Sequence, residues 1–254
     1  MSIPTITCVP IGVVHSCFSQ KFGVPRQPQL ATSAQGWIEI FPEFSFIDAF
    51  RGLEDFSHIW VHFVFHQTQH EGWRPTIRPP RLEGKKRFGV FATRSTHRPN
   101  PLGLSVVQLK RIELDSSHHG SPSIRLYIQG IDLVDQTPVI DIKPYLPYAD
   151  SIPHASSGFA PPPQLNLWPV HFEESVLNQI DLYEEQTNRP LKRLITEVLA
   201  QDPRPPYLKK TTFRRHGIAL WDVNVIWENR GDAFWVYALD QDNIEKHRPP
   251  RGSS

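Results

Sequence analysis

Between residues 58 and 65 the chain alternates at every second position. Ile59, Val61, Phe63 and Phe65 fall on one side, and His58, Trp60, His62 and Val64 on the other. A period of two is the signature of a half-buried strand. Further candidate strands are residues 6–16, 36–41, 89–92, 105–113, 123–133 and 139–142, parted by turn-rich segments. Several strands without long intervening helices predict a closed or nearly closed antiparallel barrel. Residues 46–53 are predicted as a short helix that ends near Gly52.

Past residue 170 the period changes. Val176, Leu177, Ile180 and Tyr183 sit at helical spacing within a predicted helix at 173–186. Pro190 suits the first turn of a second helix, where its missing N–H costs nothing. Leu191, Leu194, Ile195, Val198 and Leu199 then form an amphipathic stripe. Gln201-Asp202-Pro203-Arg204-Pro205-Pro206 stops that helix. Residues 217–227 and 233–239 read as strands. The fold class is therefore mainly β: a single-sheeted antiparallel β-barrel followed by a smaller α+β domain. The Pro- and Ser-rich composition after residue 150 sets the boundaries. The barrel is predicted over 1–155, a Pro-rich linker over 156–170, the α+β domain over 171–240 and a flexible tail over 241–254.

A chain of 254 residues with 39% hydrophobic and 11% aromatic content can bury a sizeable core. Its 25 prolines are roughly twice the usual share. They come in short bursts, which suits a loop-rich β architecture. The net charge of +1 points to no partner, but its distribution does. Between Arg74 and Arg111 there are ten Lys/Arg and one acid, Glu83, a basic stretch able to meet phosphate or to be balanced by acids elsewhere. The N-terminus lacks a signal-peptide pattern, and no apolar run nears a membrane span. Cys8 and Cys17 are the only cysteines. The expectation is a soluble cytoplasmic protein with two inert thiols and no metal.

Candidate chemistry concentrates in three stiff, polar loops. In residues 88–108, Arg94, His97 and Arg98 precede Pro99-Asn100-Pro101, whose prolines restrict the backbone. Residues 130–148 carry Asp132, Asp135, Asp141 and Lys143, and residues 21–27 carry Arg26 and Gln27 behind Pro25. Three rigid loops on one barrel favour a shared pocket more than any one of them does. His58, His62 and His66 recur every four residues, but four strand residues span roughly 13 Å, too far to share an ion. His66 with Gln67 ends the strand at a rim position. Neither GxGxxG nor GxxxxGK[ST] occurs, so a Rossmann or P-loop nucleotide site is excluded, and GxSxG is missing too.

The stretches at 11–31, 52–66, 78–109 and 130–150 resemble the TsaA-like family, whose bacterial members are the TrmO tRNA methyltransferases. Residues 201–227 resemble the C-terminal domain of the bacterial enzymes. The resemblance implies a β-barrel that binds S-adenosyl-L-methionine and forms homodimers with sites near the subunit interface. It implies methylation of N6 of threonylcarbamoyladenosine, just 3′ of the anticodon in threonine tRNA. By motif, the cofactor contacts would be Pro25, Arg26, Gln27, His66, Gln67, Arg94, Leu104, Asp132, Leu133, Val134 and Asp135. Two departures stand out. The family's Arg-Ser-Pro-Phe-Arg is Arg94-Ser95-Thr96-His97-Arg98 here, and its Asp-Gly-Thr-Pro is Asp135-Gln136-Thr137-Pro138. If that turn needs a positive φ, Gln136 carries strain that glycine avoids.

For the chemistry, Asp135 or Asp141 is the candidate proton acceptor, with Lys143 or Tyr145 orienting the substrate. Arg74, Arg78, Arg81, Lys85, Lys86, Arg87 and Arg98 are expected at tRNA, helped by Arg214 and Arg215. The alternatives are a non-catalytic S-adenosylmethionine- or nucleotide-sensing module, or a plain RNA-binding protein.

Overall fold

The structure, a computed structural model, describes residues 5–79, 86–115, 123–160, 167–205, 208–209 and 213–240. Six strands close a barrel: β1 (Gly12–Ser16), β2 (Gln35–Ile40), β3 (His58–Val64), β6 (Leu102–Asp115), β7 (Ser123–Gln129) and β8 (Thr137–Pro144). Their order is β1-β2-β7-β6-β3-β8, and β8 pairs back onto β1, every neighbour antiparallel. The predicted barrel is present. The alternation read in β3 is its cause: Ile59, Val61 and Phe63 point inward and are buried. They meet Val14, Ile38, Val107, Leu126, Ile128 and Val139 from the other strands. On β6 the inward position opposite Phe63 is Gly103, where a Cβ would lie 2.2 Å from the Phe63 ring. Only glycine leaves room for that ring.

The connection from β3 to β6 carries a ribbon of β4 (Thr76–Ile77) and β5 (Phe88–Gly89). The strand expected at 89–92 is shorter, because Val90–Ala92 curls into a 3-10 turn. The helix expected at 46–53 resolves into two 3-10 turns, Ile47–Phe50 and Leu53–Asp55, with Gly52 at φ +83° between them. The strand expected at 123–133 stops at Gln129, where Gly130 turns the chain at φ +73°. One-turn helix α1 (Pro147–Asp150) follows the barrel, and Phe159 stacks on Phe88 at 4.0 Å. The Pro161-Pro162-Pro163 run and the tail at 241–254 lie outside the described residues.

The C-terminal part has a four-stranded sheet, β10 (Arg215–Leu220), β11 (Val223–Arg230), β12 (Ala233–Asp240) and β9 (Val170–Phe172), in that order. Two helices accompany it, α2 (Glu174–Thr187) and α3 (Leu191–Ala200), as their apolar spacing predicts. The single strand expected at 217–227 is two strands, reversed at Trp221, which holds φ +51°. Strand β9 escapes sequence reasoning altogether. It is three residues long and joins β12 in parallel. Val176, Ile180, Leu194, Val198 and Trp227 belong to the same buried cluster as the barrel residues, so the two halves share one core.

Candidate functional site

Antiparallel neighbours put alternate connections at the same end of a barrel. The β1–β2 loop, the β3–β6 connection and the β7–β8 loop therefore emerge together, and side chains tie them to one another. Lys21 Nζ donates to the Gln67 carbonyl at 3.2 Å. Arg94 Nη1 donates to Gln27 Oε1 at 2.5 Å. The Ser16 amide donates to Asp135 Oδ1 at 2.9 Å, Ser16 Oγ to the Leu133 carbonyl at 2.6 Å, and the Asp135 amide to the Phe18 carbonyl at 2.8 Å. The structure thus gathers Pro25, Arg26, Gln27, His66, Gln67, Arg94, Asp132, Leu133, Val134 and Asp135 at one end.

Electrostatics mark the centre of this end. Burial pushes the Asp132 carboxyl up to about 6, against the Ser105 hydroxyl bond and the Arg94 charge. Ser105 Oγ donates to Asp132 Oδ1 at 2.6 Å. Burial lowers His66, outweighing the Val64 backbone bond that raises it, and the neighbouring Lys21 charge lowers it further. Ser105 was missed by sequence reasoning. The available signal was a hydroxyl on the inward face of β6, in step with buried Val107 and Leu109. A polar group on an apolar face wants a partner.

The remaining expected residues lie elsewhere on this chain. Leu104 projects from the outer face of β6, 47% exposed, in register with His62 of β3, which in turn faces Asp141 of β8. Asp141 and Lys143 share that outer face and pair with each other. Burial raises Asp141, but the Lys143 bond, the Ile142 amide and the Lys143 charge outweigh it and hold the carboxyl low. Tyr145 follows β8 at the opposite end of the barrel, its ring 5.7 Å from Trp60. A groove of about 630 Å³ opens near that end, lined by Phe44, Phe50, Leu53, Asp141 and Pro144.

Of the basic residues, Arg74, Arg78, Lys86, Arg87 and Arg94 are exposed around the β4–β5 ribbon. Arg98 is half-buried. Its Nη1 donates to the Thr93 carbonyl at 2.8 Å and to Val90 at 3.3 Å, so it braces its own loop. Arg214 and Arg215 are exposed at the start of β10, on the other sheet. Arg81 and Lys85 lie outside the described residues. No group of three or more His, Cys, Asp or Glu among the described residues could hold a metal ion. No helix among them is long and apolar enough to cross a membrane.

The turn into β8 has the geometry that the Asp-Gln-Thr-Pro departure raised. Gln136 holds φ +64°, with its amide bonded to the Val14 carbonyl at 2.8 Å. A left-handed, non-glycine residue stores strain. Gln136→Gly is expected to stabilise the chain by about 0.5–1 kcal/mol. A thermal melt checks this, and an unchanged or lower midpoint would refute it.

A small antiparallel barrel with three tied loops around a half-buried carboxylate and an arginine defines a ligand-binding scaffold without a phosphate loop. Comparison with known proteins makes the class particular. Residues 13–151 match the tRNA-methyltransferase O N-terminal domain, and residues 166–242 match the TrmO C-terminal domain. The chain is 48% identical over 231 residues to the tRNA (adenine(37)-N6)-methyltransferase of Escherichia coli K12, covering 91% of this chain and 96% of that one. It is 46% identical over 220 residues to a putative S-adenosylmethionine-dependent methyltransferase, RcsF, of Pseudomonas aeruginosa, covering 86% and 90%. The crystal structure of TrmO from P. aeruginosa superposes with a TM-score of 0.74 at 40% identity, covering 94% of this chain and 98% of that one. The chain belongs to the tRNA-methyltransferase O family.

Proposed function

We propose that this chain is an S-adenosylmethionine-dependent tRNA methyltransferase acting on N6 of adenine 37. Its substrate is the threonylcarbamoyl form of that base in threonine tRNA. The observation that carries this reading is the meeting of three loops around Asp132 and Arg94 in a chain so close to that family along nearly its whole length.

The residues present fit the cofactor. An ionised Asp132, half-buried and within reach of the Arg94 charge, suits ribose hydroxyls or a cationic donor, and Arg26 and Arg94 suit a carboxylate. When bound, S-adenosylmethionine supplies a methyl group activated by its sulfonium. The protein's part is to align the acceptor nitrogen, a contribution of several kcal/mol. In threonylcarbamoyladenosine that nitrogen belongs to a urea and is a poor nucleophile, so its proton must leave. Asp135, at the loop end, is the proposed acceptor. Asp141 is the weaker candidate because Lys143 holds its carboxyl low. A second copy of the chain would cover Leu102 and Leu104, each 47% exposed, in a homodimer.

The ribbon supplies the RNA surface. Arg74, Arg78, Lys86 and Arg87 are exposed there together with two aromatic rings, Trp73 at 54% and Phe91 at 74%. Cations meet phosphates, and open rings stack on unpaired bases. Replacing the four cations by Ala is expected to weaken tRNA binding and reduce the slope of log affinity against log salt by about three. S-adenosylmethionine affinity should not move. An unchanged slope would count against this surface.

The test of function is methyl transfer to threonine tRNA isolated from cells lacking this protein, read by mass spectrometry of the nucleosides. A methyl gained on N6 of the threonylcarbamoyl base supports the reading. Cofactor binding without transfer indicates a sensor, and tRNA binding without cofactor affinity indicates an RNA-binding protein.

A further inference from the structure

The loop that carries Arg26 and Gln27 is held from outside the barrel. On its second half, Glu197 of α3 takes three hydrogen bonds. The Ser33 amide donates to Oε2 at 2.8 Å, Ser33 Oγ to the same oxygen at 2.6 Å, and Thr32 Oγ1 to Oε1 at 2.8 Å. Arg193 Nε, one turn earlier, steadies Glu197 Oε1 at 2.9 Å. Gln201 Nε2, one turn later, donates to the Leu30 carbonyl at 2.9 Å. The first half of the loop rests on the C-terminal sheet. The Trp221 amide donates to the Cys17 carbonyl at 2.8 Å, and Gly23 packs so close to Ile218 that a Cβ would lie 2.2 Å from the isoleucine methyl. Ser33 is 1% exposed, so its two bonds to Glu197 are shielded from water, while the Thr32 and Arg193 bonds lie at the surface.

The Gln201-Asp202-Pro203-Arg204 segment, which stops the helix, anchors this grip. Arg204 is fully buried, bonded to Asp202 through Nε at 2.7 Å, with Trp168 and Phe234 flanking its guanidinium at 5.3 and 4.9 Å. The end of α3 is fixed in place, and Glu197 and Gln201 with it.

We propose that the C-terminal part is a clamp that pre-orders the cofactor loop, with Glu197 as a positioning residue for S-adenosylmethionine binding. The proposal rests on the reading of Arg26 and Gln27 as cofactor contacts. Glu197 acts on them through Thr32 and Ser33. Ordering a loop costs conformational entropy. If the free protein already holds the loop in its binding shape, the cofactor does not bear that cost. If the clamp is cut, apparent affinity falls by the fraction of chains with the loop in place. A purely structural weld between the halves makes a different forecast: lower thermal stability, but unchanged affinity at temperatures where the chain is folded.

The experiment uses the full chain carrying Glu197→Ala, Glu197→Gln or Ser33→Ala. S-adenosylmethionine dissociation constants are measured by calorimetry well below each melting midpoint, and kcat is measured with tRNA at saturating cofactor. Glu197→Ala is expected to raise the dissociation constant and the cofactor KM about tenfold, with kcat within about twofold of wild type. Glu197→Gln and Ser33→Ala should shift the same way by less, and amide exchange should quicken in residues 17–34 but not in β3. Unchanged affinity in the folded variants overturns the proposal while leaving the enzyme reading intact. A wild-type chain without cofactor affinity overturns both. Should Glu197→Ala fail to fold, Ser33→Ala carries the same test from the loop side.

Discussion

Replacing Asp132 by Asn is expected to make the chain more stable at pH 8 and at least about tenfold weaker for S-adenosylmethionine. Both effects have one cause. Burial raises the Asp132 carboxyl to about 6 from an ordinary 3.8. Ionising it in the folded chain therefore costs about 3 kcal/mol more than ionising it in the unfolded chain. A raised carboxyl contributes its stability in full below about pH 4, and that contribution is lost as pH rises through about 6. Asn is neutral throughout and can still accept from Ser105. Its melting midpoint should exceed that of wild type at pH 8, and the gap should close toward pH 4. The ionised group is also the one proposed to meet the cofactor, so wild-type affinity should strengthen as pH rises through about 6. A site that holds a strained charge at the expense of stability is the usual mark of function. If Asp132→Asn destabilises the chain at pH 8 and binds cofactor as wild type does, this account of the site is wrong.

Arg204→Ala is expected to cost about 3–5 kcal/mol and lower the melting midpoint by roughly 10 °C. Removing the guanidinium leaves Asp202, 4% exposed, as a buried carboxylate. It also opens a gap between Trp168 and Phe234. Arg204→Lys should not rescue it, because an ammonium lacks the planar fork that bonds Asp202 and stacks between rings. Asp202 also holds φ +50°. Burial raises the Asp202 carboxyl, but the Arg204 bond and charge outweigh it and hold it low. Its contribution is present above the unfolded carboxylate range and is lost as pH falls below it, so the variant should also melt with less acid dependence. A midpoint within about 2 °C of wild type would refute this role.

The barrel was legible because its strands alternate cleanly, as in Ile59-Trp60-Val61-His62-Phe63. The three loops were legible because prolines stiffen them. The reversal at Trp221-Asp222 was not, since the positive φ falls on a tryptophan and Trp-Asp is not one of the turn pairs that favour it. Strand β9 was invisible because three residues carry no period. That the Arg98 guanidinium bonds carbonyls of its own loop was not legible either. Most of what escaped was partnership at long range. Nothing local in Glu197 announces Ser33, 164 positions away, and nothing in Ser105 announces Asp132. Composition and period fix which face is buried. They do not say which polar side chains meet across the fold.

The central claim is that loops from three parts of the barrel seat one methyl donor. Ultraviolet crosslinking of S-adenosylmethionine tritiated at its methyl group, followed by peptide mapping, tests it most directly. Label is expected in peptides spanning 17–34, 65–101 and 130–136. Label confined to other parts of the chain, or saturable binding with none of these peptides marked, would contradict it.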